Sequence, residues 1–129
     1  MSKTIYLSKI AYYYSSVVLP GQKESGDLYF IKELPDRALI AVIDGMGHGA
    51  EAHVAAKLVV ETLEQHSELS VISLTNLCHE KLKLTRGAVM SLASINYNDE
   101  TITWLSIGDV EGILLRADPQ VKPSFRRHF

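Results

Sequence analysis

The chain has 129 residues, of which 47% are hydrophobic and 22% are charged, with a formal net charge of −2. These values are typical of one soluble globular domain, and the lack of a block of consecutive Lys or Arg excludes a phosphate-backbone footprint for nucleic acid. The single cysteine, Cys78, excludes an internal disulfide, and residues 1–20 lack the apolar core of a signal peptide or membrane span, so we expect a cytoplasmic protein without a membrane partner.

The first third of the chain predicts strands. Residues 4–19 are rich in Ile, Tyr, Val and Ser, which favours one or two strands broken near residues 8–11. Two further strands are predicted at residues 26–34 and 37–44, joined by a turn at Pro35-Asp36. The second strand has a continuous apolar centre, so it should be more deeply buried than the first. We therefore expect a β-hairpin across this turn.

Two helices are expected next. Between residues 49 and 66 apolar side chains recur at helical spacing, with charged residues on the opposite side. A second helix is predicted for residues 71–84, closed by Gly87. Its buried side is expected to include Leu74, Leu77, Cys78, Lys81 and Leu84 or their neighbours.

Three more strands are predicted at residues 88–97, 101–108 and 110–117, the first two joined as a hairpin. This order, strands then helices then strands, is not the alternation of a parallel sheet, so the predicted class is α+β with mainly antiparallel sheets covered by helices. We expect one domain over residues 1–118 and a loosely held tail over residues 119–129.

The sequence AVIDGMGHGAEA, residues 41–52, places Asp44 at a predicted strand end before three glycines. Glycines let the backbone turn sharply and come close to a ligand, and a carboxylate beside exposed carbonyl groups suits a hard cation such as Mg²⁺ or Mn²⁺. A capping or turn role for Asp44 is the alternative. A glycine-rich phosphate loop is a weaker one, because the chain lacks the P-loop Lys-Ser/Thr.

A second acid favours the cation. In an antiparallel hairpin that turns at Pro35-Asp36, Asp27 and Asp44 reach the same sheet end. Two carboxylates at such close range repel each other unless a cation lies between them. The pair therefore indicates a metal site.

These residues resemble the metal-dependent protein phosphatases of the 2C type, in their SpoIIE/RsbX-like bacterial branch. The resemblance rests on SGDLYF (25–30), AVIDGMGHGAEA (41–52), LTRGAVMSLASI (84–95) and LSIGDVEGILLR (105–116), in that order and spacing. It implies a two-sheet antiparallel β-sandwich flanked by helices, with two Mn²⁺ or Mg²⁺ ions in a cleft. It also implies dephosphorylation of phosphoserine or phosphothreonine in regulators of a bacterial stress or sigma-factor pathway, of the stressosome or anti-sigma-antagonist type.

By resemblance Asp44 bridges the metals as a catalytic residue, Gly45 offers its carbonyl oxygen, and Asp27 holds metal-bound water. Asp109 is similar to an aspartate that holds a further metal in larger phosphatases, and a turn role is the alternative. His48 is a candidate general acid, although it stands four residues after Asp44 where the eukaryotic enzymes have a histidine two after; ordering the loop is its alternative role. Arg86 either contacts phosphate or closes the second helix.

The family's later metal-binding aspartates have no match here, since nothing after Arg116 resembles that region. Two hypotheses follow: a phosphatase of the RsbX type, or a catalytically incomplete domain that binds a phosphoprotein or assembles with another chain. A shortened sandwich leaves strand edges unpaired, which predicts a homo-oligomer.

Overall fold

The computed structural model describes residues 2–18, 20–47, 49–122 and 124–126. The N-terminal strands are β1 (Ser2–Tyr6) and β2 (Ala11–Ser15), followed by β3 (Asp27–Glu33) and β4 (Arg37–Gly45). The helices are α1 (Gly49–Gln65) and α2 (Val71–Lys81), the latter extended by one 3₁₀ turn, Leu82–Leu84. The remaining strands are β5 (Ala88–Asn96), β6 (Thr101–Ile107), β7 (Gly112–Leu114) and β8 (Ser124–Arg126). The predicted α+β class and both predicted hairpins, β3–β4 and β5–β6, are confirmed.

A four-stranded antiparallel sheet, in the order β3-β4-β5-β6, forms the centre of the fold. Alternate residues of its strands point towards α1 and α2, and this helix-covered side holds the hydrophobic core. Strand β4 is the more buried member of its hairpin, as predicted. Core side chains that are fully buried include Leu39, Ile43, Leu63, Leu74 and Leu92.

The opposite side of the sheet is only partly covered. The β1–β2 hairpin lies over β3, where Tyr14 stacks on Tyr29 with ring centroids 4.3 Å apart. Strand β7 approaches Trp104 of β6 so closely that a Cβ at Gly112 would overlap the indole ring. Beside β7, this side of the sheet holds a cavity of 290 Å³, whose lining includes Ile40, Val42, Ile102 and Trp104.

The second helix ends earlier than its sequence pattern predicts. Leu74 and Cys78 are buried as expected and Leu77 is half-buried. At the C-terminal end, Lys81 and Leu84 are exposed, and their neighbour Leu82 packs against the core instead. The helix stops at Lys81 and tightens into a 3₁₀ turn, and three residues per turn no longer keep the 3.6-residue periodicity.

Strand β8 falls within residues 119–129 and pairs antiparallel with β7. The division into a domain over residues 1–118 and a loosely held tail stays a prediction. In the described part of the chain, no helix is both long and apolar enough to cross a membrane.

Candidate metal centre

Two aspartates meet at one end of the central sheet. Asp27 begins β3 and is directly opposite Asp44 of β4. The neighbouring pair is hydrogen-bonded, because the Gly45 N–H donates to the Gly26 carbonyl oxygen at 2.8 Å. The aspartates are therefore a non-hydrogen-bonded pair, the type in which opposed side chains come closest. The predicted convergence of the two carboxylates is confirmed, and their role in metal binding stays a prediction.

The surroundings of Asp44 perturb its pKa. Asp44 is half-buried and Asp27 is exposed. Burial raises the pKa of Asp44 above its ordinary value; proton donation to Asp27 and the negative charges of Asp27 and Asp109 raise it further. Asp109 follows the C-terminal end of β6, which lies at the same edge of the sheet as Asp44. Negative charge is thus concentrated where a cation would relieve it.

The backbone around Asp44 is shaped by close contact with α1. A Cβ at Gly45 would overlap the carbonyl oxygen of Ala52, and a Cβ at Gly26 would lie 2.7 Å from the Ala52 Cβ. The Gly45 carbonyl oxygen would lie 3.4 Å from a Cβ on Gly26, so this oxygen faces the loop before Asp27. Gly47 adopts a φ of 100°, which few other residues adopt without strain. Glycines therefore bring the strand end, the loop and the helix together.

A cleft of 240 Å³ opens beside the two aspartates. Its lining residues come from the loop before β3, the end of β4 and the start of α1: Gln22, Glu24, Ser25, Gly26, Asp27, Asp44, Gly45, Gly47, Gly49 and Ala52. Of the other predicted site residues, Asp109 is not among these lining residues. Asp109 acts on Asp44 through its charge, and His48 lies outside the described residues.

Sequence reasoning missed the groups that hold the loop before β3. The Ser25 Oγ accepts a hydrogen bond from the Asp27 N–H at 3.0 Å, and His53 Nδ1 lies 3.0 Å from the Ser25 carbonyl oxygen. His53 thus joins α1 to this loop. The Ser-Gly-Asp sequence before a strand is a signal for the first contact, whereas the second joins residues 28 positions apart.

The donor set fits a hard divalent cation in part. Two carboxylates and a backbone carbonyl are oxygen ligands of the kind that Mg²⁺ and Mn²⁺ prefer. Mg²⁺ commonly keeps several waters and binds through one or two carboxylates. Within the described residues, no group of three or more His, Cys, Asp or Glu side chains is arranged to hold a metal. The residues therefore suit one well-hydrated ion better than a fully enclosed site.

Arg86 follows the 3₁₀ turn after α2, and its side chain pairs with a different helix. Its Nε donates to Glu51 Oε2 of α1 at 2.9 Å. The backbone next to it is fixed to the cleft loop, because the Met46 N–H donates to the Gly87 carbonyl oxygen at 2.8 Å. Arg86 therefore lies beside the cleft, and neither a phosphate contact nor a role in closing α2 is tested by this placement.

Known proteins show strong similarity to this chain. The sequence profile of the family described as stage II sporulation protein E (SpoIIE) matches residues 35–126. The phosphoserine phosphatase RsbX of Bacillus subtilis (strain 168) is 31% identical over 94 residues, which cover 73% of this chain and 47% of RsbX. The chain thus spans about half the length of this relative.

Solved structures agree with the sequence comparison. A crystal structure of RsbX in complex with magnesium superimposes with a TM-score of 0.88 at 25% identity, covering 98% of this chain and 62% of that chain. A structure from work on the bacterial stressosome gives a TM-score of 0.74 at 26% identity, covering 85% of this chain and 55% of its own. The profile match covers more than half of the chain, and the fold agrees with it: the chain belongs to the SpoIIE family, in its RsbX-like branch of 2C-type phosphatase folds.

Proposed function

We propose that this chain is a metal-dependent phosphoserine/phosphothreonine protein phosphatase of the RsbX type. The observation that carries the proposal is the direct opposition of Asp27 and Asp44 beside a cleft. Family membership supports it, as do the phosphoserine phosphatase activity named for one relative and the magnesium bound in a related structure.

Asp27, Asp44 and the Gly45 carbonyl oxygen would hold Mn²⁺ or Mg²⁺, with Asp109 adding negative charge from the end of β6. When bound, a divalent ion supplies an activated water at neutral pH and neutralises charge on phosphoryl oxygens. The protein's own contribution is a rigid sheet end that keeps two carboxylates close, and a cleft 240 Å³ in volume that admits a phosphorylated side chain. His48 is our candidate for the residue that protonates the leaving serine oxygen.

The proposed substrate is a phosphorylated regulatory protein of a bacterial stress or sigma-factor pathway, of the stressosome or anti-sigma-antagonist type, in the cytoplasm. The similarity to a structure from stressosome work supports this partner class. A homo-oligomer is also proposed. It is supported by the partly covered sheet face, where Val42 is 49% exposed and Ile102 is 41% exposed, because exposed apolar patches often mark interfaces. Light scattering that gives a monomer mass at high concentration would contradict it.

A second candidate function is a catalytically incomplete domain that binds a phosphoprotein or assembles with another chain. One observation favours it: within the part of the chain that the structure describes, no group of three or more His, Cys, Asp or Glu side chains is arranged to hold a metal. The two candidates differ in turnover, because an incomplete domain binds without hydrolysis.

The deciding experiment measures phosphate release from a phosphoserine peptide in the presence of Mn²⁺ or EDTA. Phosphatase function predicts release that requires Mn²⁺ and is lost in Asp44→Asn. Release is kept in Asp118→Asn, which removes an exposed acid between β7 and β8 that does not line the cleft. Retained peptide binding with no release at any Mn²⁺ concentration would establish the second candidate instead.

A further inference from the structure

A second, more apolar groove lies next to the metal cleft. Its volume is 470 Å³, and its lining residues come from the start of α1 and the segment after α2: Ala50, Glu51, Val54, Leu84, Thr85 and Arg86. Val54 is 57% exposed and Leu84 is 101% exposed. Both exposed aliphatic side chains line this one groove, and a contiguous exposed apolar surface often marks a binding site.

Hydrogen bonds hold Leu84 in this outward position. The Thr85 N–H and Oγ1 both donate to the Leu82 carbonyl oxygen, at 2.9 and 2.8 Å. Thr85 Oγ1 also accepts from the Gly87 N–H at 2.9 Å. The turn that presents Leu84 is therefore fixed before any partner arrives, and less conformational entropy is lost on binding.

The groove adjoins the cleft at Gly47. Gly47 lines the cleft, and a Cβ built on it would lie 3.3 Å from Arg86 Cγ, so the Arg86 side chain lies against the loop backbone. The bond from the Met46 N–H to the Gly87 carbonyl oxygen fixes the two segments to each other. A ligand that occupies the cleft meets Arg86 at its edge.

The charge of Arg86 suits a phosphorylated ligand. A guanidinium has five N–H donors, and the hydrogen bond described for Arg86 uses only the one at Nε, which donates to Glu51. The side chain is 67% exposed. Glu51 thus acts as a positioning residue, and the terminal nitrogens keep the fork geometry that binds phosphate oxygens.

We propose that this groove docks the segment of the phosphoprotein substrate next to its phosphoserine, with an apolar side chain between Val54 and Leu84 and Arg86 contacting the phosphoryl group. The inference rests on the phosphoserine substrate class proposed above. It goes further by naming the surface that selects the substrate: phosphoserine segments with a neighbouring large aliphatic residue are preferred over those without one.

The test measures fluorescence anisotropy with labelled peptides in EDTA, where binding does not depend on metal. The peptides carry phosphoserine flanked by leucine, phosphoserine flanked by serine, or unphosphorylated serine flanked by leucine. In Leu84→Ser, binding of the leucine-flanked phosphopeptide should weaken about tenfold, or about 1.4 kcal/mol, with no change for the serine-flanked one. Leu115→Ser is the matched control, since Leu115 is also exposed, at 71%, and does not line the groove.

The role of Arg86 is tested by comparing how tightly the protein binds the phosphorylated and the unphosphorylated leucine-flanked peptides. Arg86→Gln should abolish the difference between phosphorylated and unphosphorylated leucine-flanked peptides, and Arg86→Lys should restore part of it because the charge returns without the fork. Circular dichroism checks that each variant is folded. Equal binding of the leucine-flanked phosphopeptide by Leu84→Ser and the unsubstituted protein would overturn the proposal, as would a protein that binds no phosphopeptide.

Hydrolysis of p-nitrophenyl phosphate with Mn²⁺ tests the phosphatase activity separately from the docking groove, because this small ester has no flanking residue that could occupy the groove. Turnover of the ester without groove-dependent peptide binding overturns the docking surface alone. Groove-dependent binding without turnover of any phosphate ester overturns the phosphatase activity and supports the docking surface.

Discussion

The opposition of Asp27 and Asp44 predicts a trade-off between metal binding and stability. Replacing Asp27 by Asn removes one charge of a directly paired couple. Cβ atoms of opposed residues lie about 5 Å apart, where two unit charges repel by about 0.8 kcal/mol in water and about 3 kcal/mol at an effective dielectric constant near 20. Because Asp27 is exposed, the lower part of this range applies, and Asp27→Asn should stabilise the metal-free protein by about 1 kcal/mol.

The assay is urea unfolding at pH 7, with EDTA or Mn²⁺. The unsubstituted protein should gain about 2.7 kcal/mol at a Mn²⁺ concentration 100 times its Kd, whereas Asp27→Asn should gain far less. Asp36→Asn is the control, since Asp36 is an exposed acid in the turn at the opposite end of the same hairpin. Our reasoning is refuted if Asp27→Asn is no more stable than the unsubstituted protein in EDTA, or if Mn²⁺ stabilises both equally.

Three further changes test the fold around the site. Leu63→Ala should cost about 2–5 kcal/mol in urea unfolding because Leu63 is fully buried, whereas Leu115→Ala should change stability by less than about 0.5 kcal/mol. Gly45→Ala should lower the free energy of unfolding by about 1–3 kcal/mol, because the alanine Cβ would overlap a carbonyl oxygen of α1. The affinity of this variant for Mn²⁺, measured by calorimetry, should fall as well. The Ser8 hydroxyl and N–H donate to Glu33, and hydrogen bonds from Ser8 and Tyr97 lower its pKa from 4.5 to about 2. The stability that these hydrogen bonds to the Glu33 carboxylate contribute is complete above pH 4.5 and is lost as the pH falls through about 2. The chemical shift of the Ser8 amide should therefore titrate near pH 2 and should not titrate in Glu33→Gln.

Each of these outcomes has a contrary one. Equal costs for the two leucine substitutions would contradict the assignment of the core. An unchanged melting curve for Gly45→Ala would show that α1 does not touch the strand end. A Ser8 amide that titrates near pH 4.5 would show that Glu33 does not hold the β1–β2 turn, and Glu61→Gln, which removes an exposed acid on α1, controls for the change in net charge.

The sequence by itself determined the order of elements and the meeting of the two aspartates. Alternating and helical periodicities are properties of short segments, and a tight turn at Pro35-Asp36 sets the register of its hairpin. Asp27 and Asp44 are therefore opposed as a direct result of local chemistry. The same pattern failed at Leu84, where a 3₁₀ turn replaced the helix and the periodicity no longer applied.

Only the tertiary structure decided which distant groups touch. The contact between Arg86 and Glu51 joins residues 35 positions apart, and that between Tyr97 and Glu33 joins residues 64 positions apart. The approach of α1 to Gly45, which shapes the cleft, likewise depends on how the helix packs on the sheet. Such contacts follow from the burial of the whole core, a sum over many residues that no local motif encodes, so the apolar groove beside the cleft had no signal in the sequence.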